Sequence, residues 1–370
     1  MIRILHSVSN MDRAGIETML MNYYRHMDRD KVQFDFLCNK PKKGAYDDEI
    51  REMGGKIYVS PGLNPFKYPE YLEFMKKLFK AHPEYNVIHA HNGALGVYAL
   101  HAGKVNNIPV RIFHAHGASI TRDWKLPLKL FCKSRLKSNI NHKWTCGIDA
   151  ARCYYGNRTV DENDFLLVRN AIEVERFVFN AEIRRNMRKR YNLEGKHVIG
   201  HVGRFMAQKN HSFLIDVFDE LCRHDDKAVL FLAGDGELMP EIKKKAEKLG
   251  LAEKVIFAGN IDNVNEIYQM FDVFVLPSVW EGLPVVGIEA QTASLPCIFS
   301  SEVTRETAVT ENCRFISLDA PKSKWVKVIL SAYGCRRRDN TDIITEAGYN
   351  ISMEAVKLQN KYIELTKDFD

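Results

Sequence analysis

Phe274-Val-Leu-Pro-Ser-Val-Trp-Glu-Gly-Leu-Pro-Val-Val-Gly-Ile-Glu-Ala290 is the stretch on which the reading of this chain turns. The apolar run 273–276 predicts a short, fully buried strand. Pro277, Trp280 and Gly282 make the next residues a loop. Pro284 stands where a helix begins, because its fixed φ suits a first turn. Glu281 then lies in the loop ahead of the helix, and Glu289 lies on its second turn. Free N–H groups and the positive dipole end at a helix start favour a phosphate. Carboxylates accept hydrogen bonds from sugar or ribose hydroxyls, and Gly282 lets a ligand approach the backbone. A single Glu here is equally well explained by dipole compensation. Two Glu, a Gly and a Pro in register favour a ligand site.

Outward from this stretch, short apolar runs alternate with helix-length amphipathic ones. Segments 2–8, 32–38, 56–59, 87–90, 110–114, 143–146 and 165–168 read as strands, with helices over 16–27, 69–81 and 126–138 among them. After a break near 171–195 the rhythm restarts. Segments 197–202, 228–233, 254–258, 273–276 and 296–300 read as strands, with helices over 212–221, 237–249, 264–271 and 285–293. This βαβ pattern predicts parallel sheets covered on both faces. A chain of 370 residues exceeds the roughly 250–300 at which one core stops growing. The fold class is therefore α/β, with two Rossmann-like doubly wound domains, 1–175 and 176–350, facing a central cleft. The last helix, within 351–370, is free to pack back on the first domain. In open α/β sheets ligands sit beyond the carboxyl ends of the strands, so the loops directly after strands matter most.

Composition is that of an ordinary globular protein, 45% hydrophobic and 27% charged. The formal net charge of +6 suits an anionic ligand or an acidic membrane surface and is too small to argue for nucleic acid. The eight cysteines form no Cys-x-x-Cys pair and no zinc pattern, so they read as buried thiols in a reducing compartment. The start reads as a first strand rather than a signal peptide, and no apolar run approaches the roughly 20 residues of a membrane span. A cytoplasmic protein is expected.

Gly200-His-Val-Gly-Arg-Phe-Met-Ala-Gln-Lys-Asn210 covers the first strand end of the second domain and the loop after it. Gly203 permits a tight turn. Arg204 and Lys209 can clamp a diphosphate, Arg through its fork and Lys as a point charge. In the first domain His89, His91, His114 and His116 stand at two neighbouring strand ends. Asp28-Arg-Asp30 has the spacing of a metal-binding pair, but it lies in a turn. With Arg204 and Lys209 present, neither a metal nor any other cofactor is required.

Five stretches together make the chain resemble the retaining glycosyltransferases of family 4, which have the GT-B fold, in their bacterial capsule and exopolysaccharide type. They are Gly203-Arg204 with Lys209-Asn210, Leu232-Ala-Gly-Asp-Gly-Glu237, Val255-Ile-Phe-Ala-Gly-Asn260, residues 273–278, and Glu281-Gly-Leu-Pro-Val-Val-Gly-Ile-Glu-Ala290. The likeness covers nearly the whole chain. It implies that Arg204 and Lys209 hold the donor diphosphate, that Glu289 binds the ribose, and that Glu281 faces the donor sugar. The backbone around Gly282, Leu283, Pro284, Val285 and Val286 meets sugar and phosphates, through N–H groups at every position but Pro284, and Phe257, Gly259 and Asn260 lie beside the base. Gly15 approaches the phosphate or sugar from a loop where the family usually has two glycines and this chain has Ala14 and Gly15. His116 points into the cleft near donor sugar and acceptor.

The activity so implied is sugar transfer from a nucleotide-sugar, UDP favoured over GDP, to a hydroxyl of a lipid-linked glycan. Residues from Arg122 to Lys143 interleave seven basic side chains with Trp124, Leu126, Leu128, Leu130, Phe131 and Leu136. Such a helix suits peripheral contact with an anionic membrane on the inner face of the cell. No nucleic-acid partner is expected. The rival readings are a nucleotide-sugar epimerase or hydrolase on the same fold, and a non-catalytic sugar-nucleotide-binding scaffold.

Overall fold

A computed structural model describes residues 1–120 and 123–369. The chain divides into two compact units, Met1–Ala171 with Ile351–Asp370, and Ile172–Asn350. Residues 172–175 go with the second unit because Ile172 N donates to Tyr349 O at 2.8 Å and Val174 is fully buried in that unit's core.

In the amino-terminal unit the strands are β1 (Ile2–Val8), β2 (Val32–Cys38), β3 (Ile57–Val59), β4 (Val87–Ala90), β5 (Val110–Ala115), β6 (His142–Thr145) and β7 (Leu166–Leu167). They form one sheet in the order β3-β2-β1-β4-β5-β6-β7, every pair parallel. Both faces are covered, which is why the strands read as near-continuous apolar runs. On one face Ile4, Phe34, Phe36, Val87, Ile112 and Trp144 meet the helices Gly15–His26 and Ile351–Thr366. On the other, Leu5, Ile88, Ala90 and Phe113 meet Tyr68–Ala81, Val97–Val105 and Leu126–Asn139. The helix Ile351–Thr366 buries Ile351, Ala355, Leu358 and Tyr362, spaced at a helical period.

The second unit contains β8 (His197–Val202), β9 (Ala228–Ala233), β10 (Val255–Gly259), β11 (Val273–Leu276), β12 (Cys297–Ser300) and β13 (Cys313–Ile316). Their order is β10-β9-β8-β11-β12-β13, again all parallel. This is the doubly wound 3-2-1-4-5-6 order, which reverses direction between β8 and β11. The basic run of the linker is a helix, Ala181–Arg190. Its Arg184 and Arg188 donate to the carbonyls of Gln269, Met270 and Phe271 and pair with Asp272, so two of its charges are structural. Asp28 is a turn residue: its Oδ1 accepts from Asp30 N, and its carboxylate pairs with Lys31. Among the described residues no helix is long and apolar enough to cross a membrane.

Tyr362 is fully buried, and its hydroxyl lies 2.7 Å from His89 Nδ1. Tyr362→Ala is expected to destabilise the protein by about 3–5 kcal/mol in urea denaturation. Val356→Ala on the exposed face of the same helix should stay within about 0.5 kcal/mol of the parent. Equal effects would show that this face of the helix is not held by packing.

Candidate active site

Because the strand order reverses between β8 and β11, the chain leaves these adjacent strands toward opposite faces of the sheet. The helix after β8, His211–Cys222, packs in one core, and the helix after β11, Val285–Thr292, packs in the other. Their loops therefore flank an opening at the carboxyl edge of the sheet, where such folds bind ligands.

The β8 loop is shaped around Lys209. A Cβ at Gly203 would lie 3.0 Å from His201 Nε2 and 3.3 Å from Lys209 Cδ, so glycine leaves room for the lysine stem. Ala207–Lys209 forms a single 3₁₀ turn, and Asn210 at φ 56° reverses the chain into the next helix. Lys209 Nζ pairs with Glu281 Oε1 at 2.5 Å, with side chains 15% and 10% exposed. The same Oε1 accepts from Ser278 Oγ at 3.0 Å, and Oε2 accepts from Gln208 Nε2 at 3.2 Å. Val279 N donates to Gln208 O at 2.8 Å, and Gln208 Nε2 donates to Trp280 O at 3.0 Å. The two loops are thus stitched together by backbone, amide and charge. Arg204 is exposed, and no carboxylate pairs with it among the described residues.

Two further loops back this pair. Gly203 N donates to Ala233 O, and Phe205 N donates to Asp235 O. Gly234, at φ 132°, sits so close that a Cβ would lie 2.2 Å from Gly203 O. Its N–H donates to Gly259 O at 2.8 Å. Phe257, Gly259 and exposed Asn260 thereby join the same edge through the β10 end, where the register shifts between Phe257 and Gly259.

Pro284 is the N-cap residue, one position before the first helical residue Val285. Gly282 and Leu283 complete the loop, and Leu283, Val285 and Val286 pack partly against the core. Glu289, on the second turn, accepts from Tyr268 O–H at 2.7 Å. Burial raises its carboxyl to about 7, against the opposing pull of the Tyr268 hydroxyl. The sequence motifs did not indicate Tyr268, Gln208 or Ser278. Tyr268 lies on a different helix, and nothing local to it signals its partner.

In the amino-terminal unit Gly15 is the first residue of the helix Gly15–His26, and nothing in the protein lies within 4 Å of a Cβ built there. Glu17 is buried in the first turn, and burial raises its carboxyl. His116 follows β5 and is partly exposed. His91 Nδ1 lies 2.9 Å from His116 Nε2, and His6 Nδ1 lies 3.0 Å from His91 Nε2. His6 is the member the motifs missed; the parallel pairing of β1 with β4 sets it opposite His89. Two trios, His6 with His89 and His91, and His91 with His114 and His116, hold ring nitrogens near enough for a metal. Neither contains a carboxylate or thiolate, and several of these nitrogens already face one another or Tyr362.

Since the folded-state value of Glu289 is raised, its contribution to stability is complete below about pH 4.5 and is lost as pH rises through about 7. Glu289→Gln should therefore lose less stability than the parent across that window. Melting temperature against pH for the two proteins checks this, and parallel curves would refute it.

The model "Glycosyl transferases group 1" matches residues 183–324, and the model "Glycosyltransferase Family 4" matches residues 13–147. The chain is 34% identical over 375 residues to "Putative glycosyltransferase EpsF" of Bacillus subtilis (strain 168), covering 99% of this chain and 98% of that one. It is 24% identical over 322 residues to the UDP-Gal:alpha-D-GlcNAc-diphosphoundecaprenol alpha-1,3-galactosyltransferase of Escherichia coli, covering 81% and 79%. It is 23% identical over 377 residues to the capsular polysaccharide biosynthesis glycosyltransferase CapH of Staphylococcus aureus, covering 99% and 100%. Anabaena Alr3699/HepE in complex with UDP has the same fold, with a TM-score of 0.78 at 14% identity over the whole of both chains. Two parallel doubly wound sheets, the stitched loops of the second and these matches lead to one conclusion: the chain is an enzyme of the GT-B glycosyltransferases, with a family 4 amino-terminal part and a group 1 carboxyl-terminal part.

Proposed function

We propose that this enzyme transfers a sugar, with retention of anomeric configuration, from a UDP-sugar to a hydroxyl of a lipid-linked glycan in capsule or exopolysaccharide synthesis. The observation that carries the reading is the Lys209–Glu281 pair, with exposed Arg204 on the same loop as Lys209, held at the point where the second sheet reverses direction. UDP is favoured because HepE is solved with UDP and with UDP-glucose. The lipid-linked acceptor is supported by the name of the Escherichia coli relative, and the polysaccharide context by CapH.

Arg204 and Lys209 neutralise the donor diphosphate. The lysine ammonium has three donors, and one contact to Glu281 leaves others for phosphate oxygens. As the anomeric C–O bond breaks, charge grows on the leaving diphosphate, and preorganised cations stabilise it. The backbone from Gly282 to Val286, apart from Pro284, adds N–H donors at the helix start. Glu281 faces the donor sugar and Glu289 the ribose, while Phe257, Gly259 and Asn260 border the base. His116 and Gly15 serve the donor sugar and acceptor from the amino-terminal unit. Glu281 is held by three donors, which makes it a poor covalent nucleophile. The acceptor oxygen therefore attacks on the face the leaving group vacates, and its proton passes to the departing phosphate oxygen. This route needs no metal.

Peripheral binding to an anionic membrane through residues 122–143 belongs to the same reading; Arg122 lies outside the described residues. Trp124, Leu130 and Phe131 are exposed, and Lys125, Lys133, Arg135 and Lys137 flank them.

Lys209→Ala and Glu281→Ala should each lower turnover about a hundredfold. Each single variant strands a mostly buried charge, at about 3–5 kcal/mol. The double variant Lys209→Ala/Glu281→Ala removes both charges and should fold better while staying inactive. Thermal shift with UDP, GDP and their sugars should show stabilisation by the UDP series, about 2.7 kcal/mol at a hundredfold excess over Kd. Turnover should depend absolutely on added acceptor; release of free sugar or an epimer without acceptor would favour the hydrolase or epimerase. Wild-type rates in both single variants would refute the site.

A further inference from the structure

His6, His91 and His116 form a continuous run of imidazoles within the amino-terminal unit, linked at 3.0 and 2.9 Å. His6 and His91 are buried, and His116 is partly exposed. A neutral imidazole carries one N–H and one bare nitrogen, so the proton positions along such a run are tied together. Only two arrangements satisfy both contacts. In the first, His116 Nε2–H donates to His91 Nδ1, and His91 Nε2–H donates to His6 Nδ1. His6 then carries its proton on Nε2. In the second, His6 Nδ1–H donates to His91 Nε2, and His91 Nδ1–H donates to His116 Nε2. His116 then carries its proton on Nδ1.

The buried end decides between them. His6 Nε2 is fully buried and faces no acceptor among the described residues. The ring packs against Phe34, with centroids 4.1 Å apart, and against Phe36. A proton on Nε2 would be a donor stranded in an apolar setting, which is rarer and more costly than an unfilled acceptor. The second arrangement avoids this. His114 stacks on the His116 ring at 4.1 Å and 22°, which holds its plane. Burial lowers His6 and His116 to about 3, which keeps both rings neutral.

We propose that His6 and His91 are positioning residues that lock His116 in the tautomer with hydrogen on Nδ1, so that it meets a substrate oxygen as a neutral hydrogen-bond donor and not as a base. The functional half rests on the reading of His116 as a substrate contact. Nothing within the described residues occupies its Nδ1, which leaves that donor for a hydroxyl or phosphate oxygen. The acceptor's proton then goes to the leaving diphosphate and not to His116.

The test is long-range ¹H–¹⁵N correlation on ¹⁵N-histidine-labelled full-length protein, with His116 assigned by the signal missing in His116→Gln. The expected spectrum has hydrogen on Nδ1 of His116 and a bare Nε2. Hydrogen on Nε2, or a mixture of tautomers, overturns the proposal. His91→Leu should convert His116 to a mixture and lower kcat/KM about tenfold, the worth of one neutral hydrogen bond. His91→Gln, whose amide both donates and accepts, should restore the single tautomer and most of the rate. An unchanged tautomer in His91→Leu also overturns the proposal. Should His91→Leu fail to fold, the parent and His91→Gln spectra decide. Wild-type turnover in His116→Ala beside the expected tautomer would overturn the substrate contact alone, so the two failures are distinguishable.

Discussion

The Lys209–Glu281 ion pair bridges two loops that the topology drives apart. β8 and β11 are neighbours, yet their following helices pack in different cores. The sheet fixes the paired strand ends side by side, but not the course of the loops beyond them. The pair, Gln208 and the Val279–Gln208 backbone hydrogen bond hold the loops together there. A mostly buried ion pair is close to neutral for stability against an apolar substitute, because desolvation offsets the attraction. What such a pair does supply is a fixed geometry. Here it holds an ammonium and a carboxylate, with their remaining hydrogen-bonding capacity, at one edge of the sheet.

The glycines nearby have meaning only in relation to that edge. Gly203 makes space for the lysine stem, and Gly234 lets the β9 loop lie against the β8 loop at backbone distance. The second is the stricter requirement, since both its φ and the 2.2 Å approach exclude a side chain. The main chain of the cationic loop is therefore supported from behind by backbone. Arg204 differs from Lys209 in being exposed and having no carboxylate partner among the described residues, so its charge is uncompensated within the unit.

Much of this was legible in the sequence because parallel strands buried on both faces are written as apolar runs, and ligand loops come directly after them. The strands in the first domain and the first five of the second fell within a residue or two of their observed bounds. β13 was not foreseen: it lies at a sheet edge, and exposed Arg314 interrupts its apolar run. Arg204, Lys209, Glu281 and Glu289 stood out because charge in a glycine- and proline-marked loop is conspicuous. Their partners did not. Tyr268 reaches Glu289 from another helix, Ser278 and Gln208 are unremarkable loop residues, and His6 reads as a mere interruption of an apolar strand. These contacts exist only after the sheet has brought distant segments together, and no local pattern encodes them.

The two units place polar residues at the same edge of similar sheets, but by different chemistry, and desolvation explains the difference. Formal charges are expensive to bury, so Lys209 and Glu281 stay at the loop level and keep some solvent contact. A neutral imidazole loses far less on burial and can be partnered by another imidazole. Histidines can therefore extend from the edge down into the strand, as His116, His91 and fully buried His6 do. A run of carboxylates or ammonium groups at the same depth would carry repulsion and uncompensated desolvation together. Neutral imidazoles, which both donate and accept, can carry hydrogen-bond directionality from an apolar core out to the edge of the sheet. The proton position at the surface end is then tied to that of a residue buried in the strand.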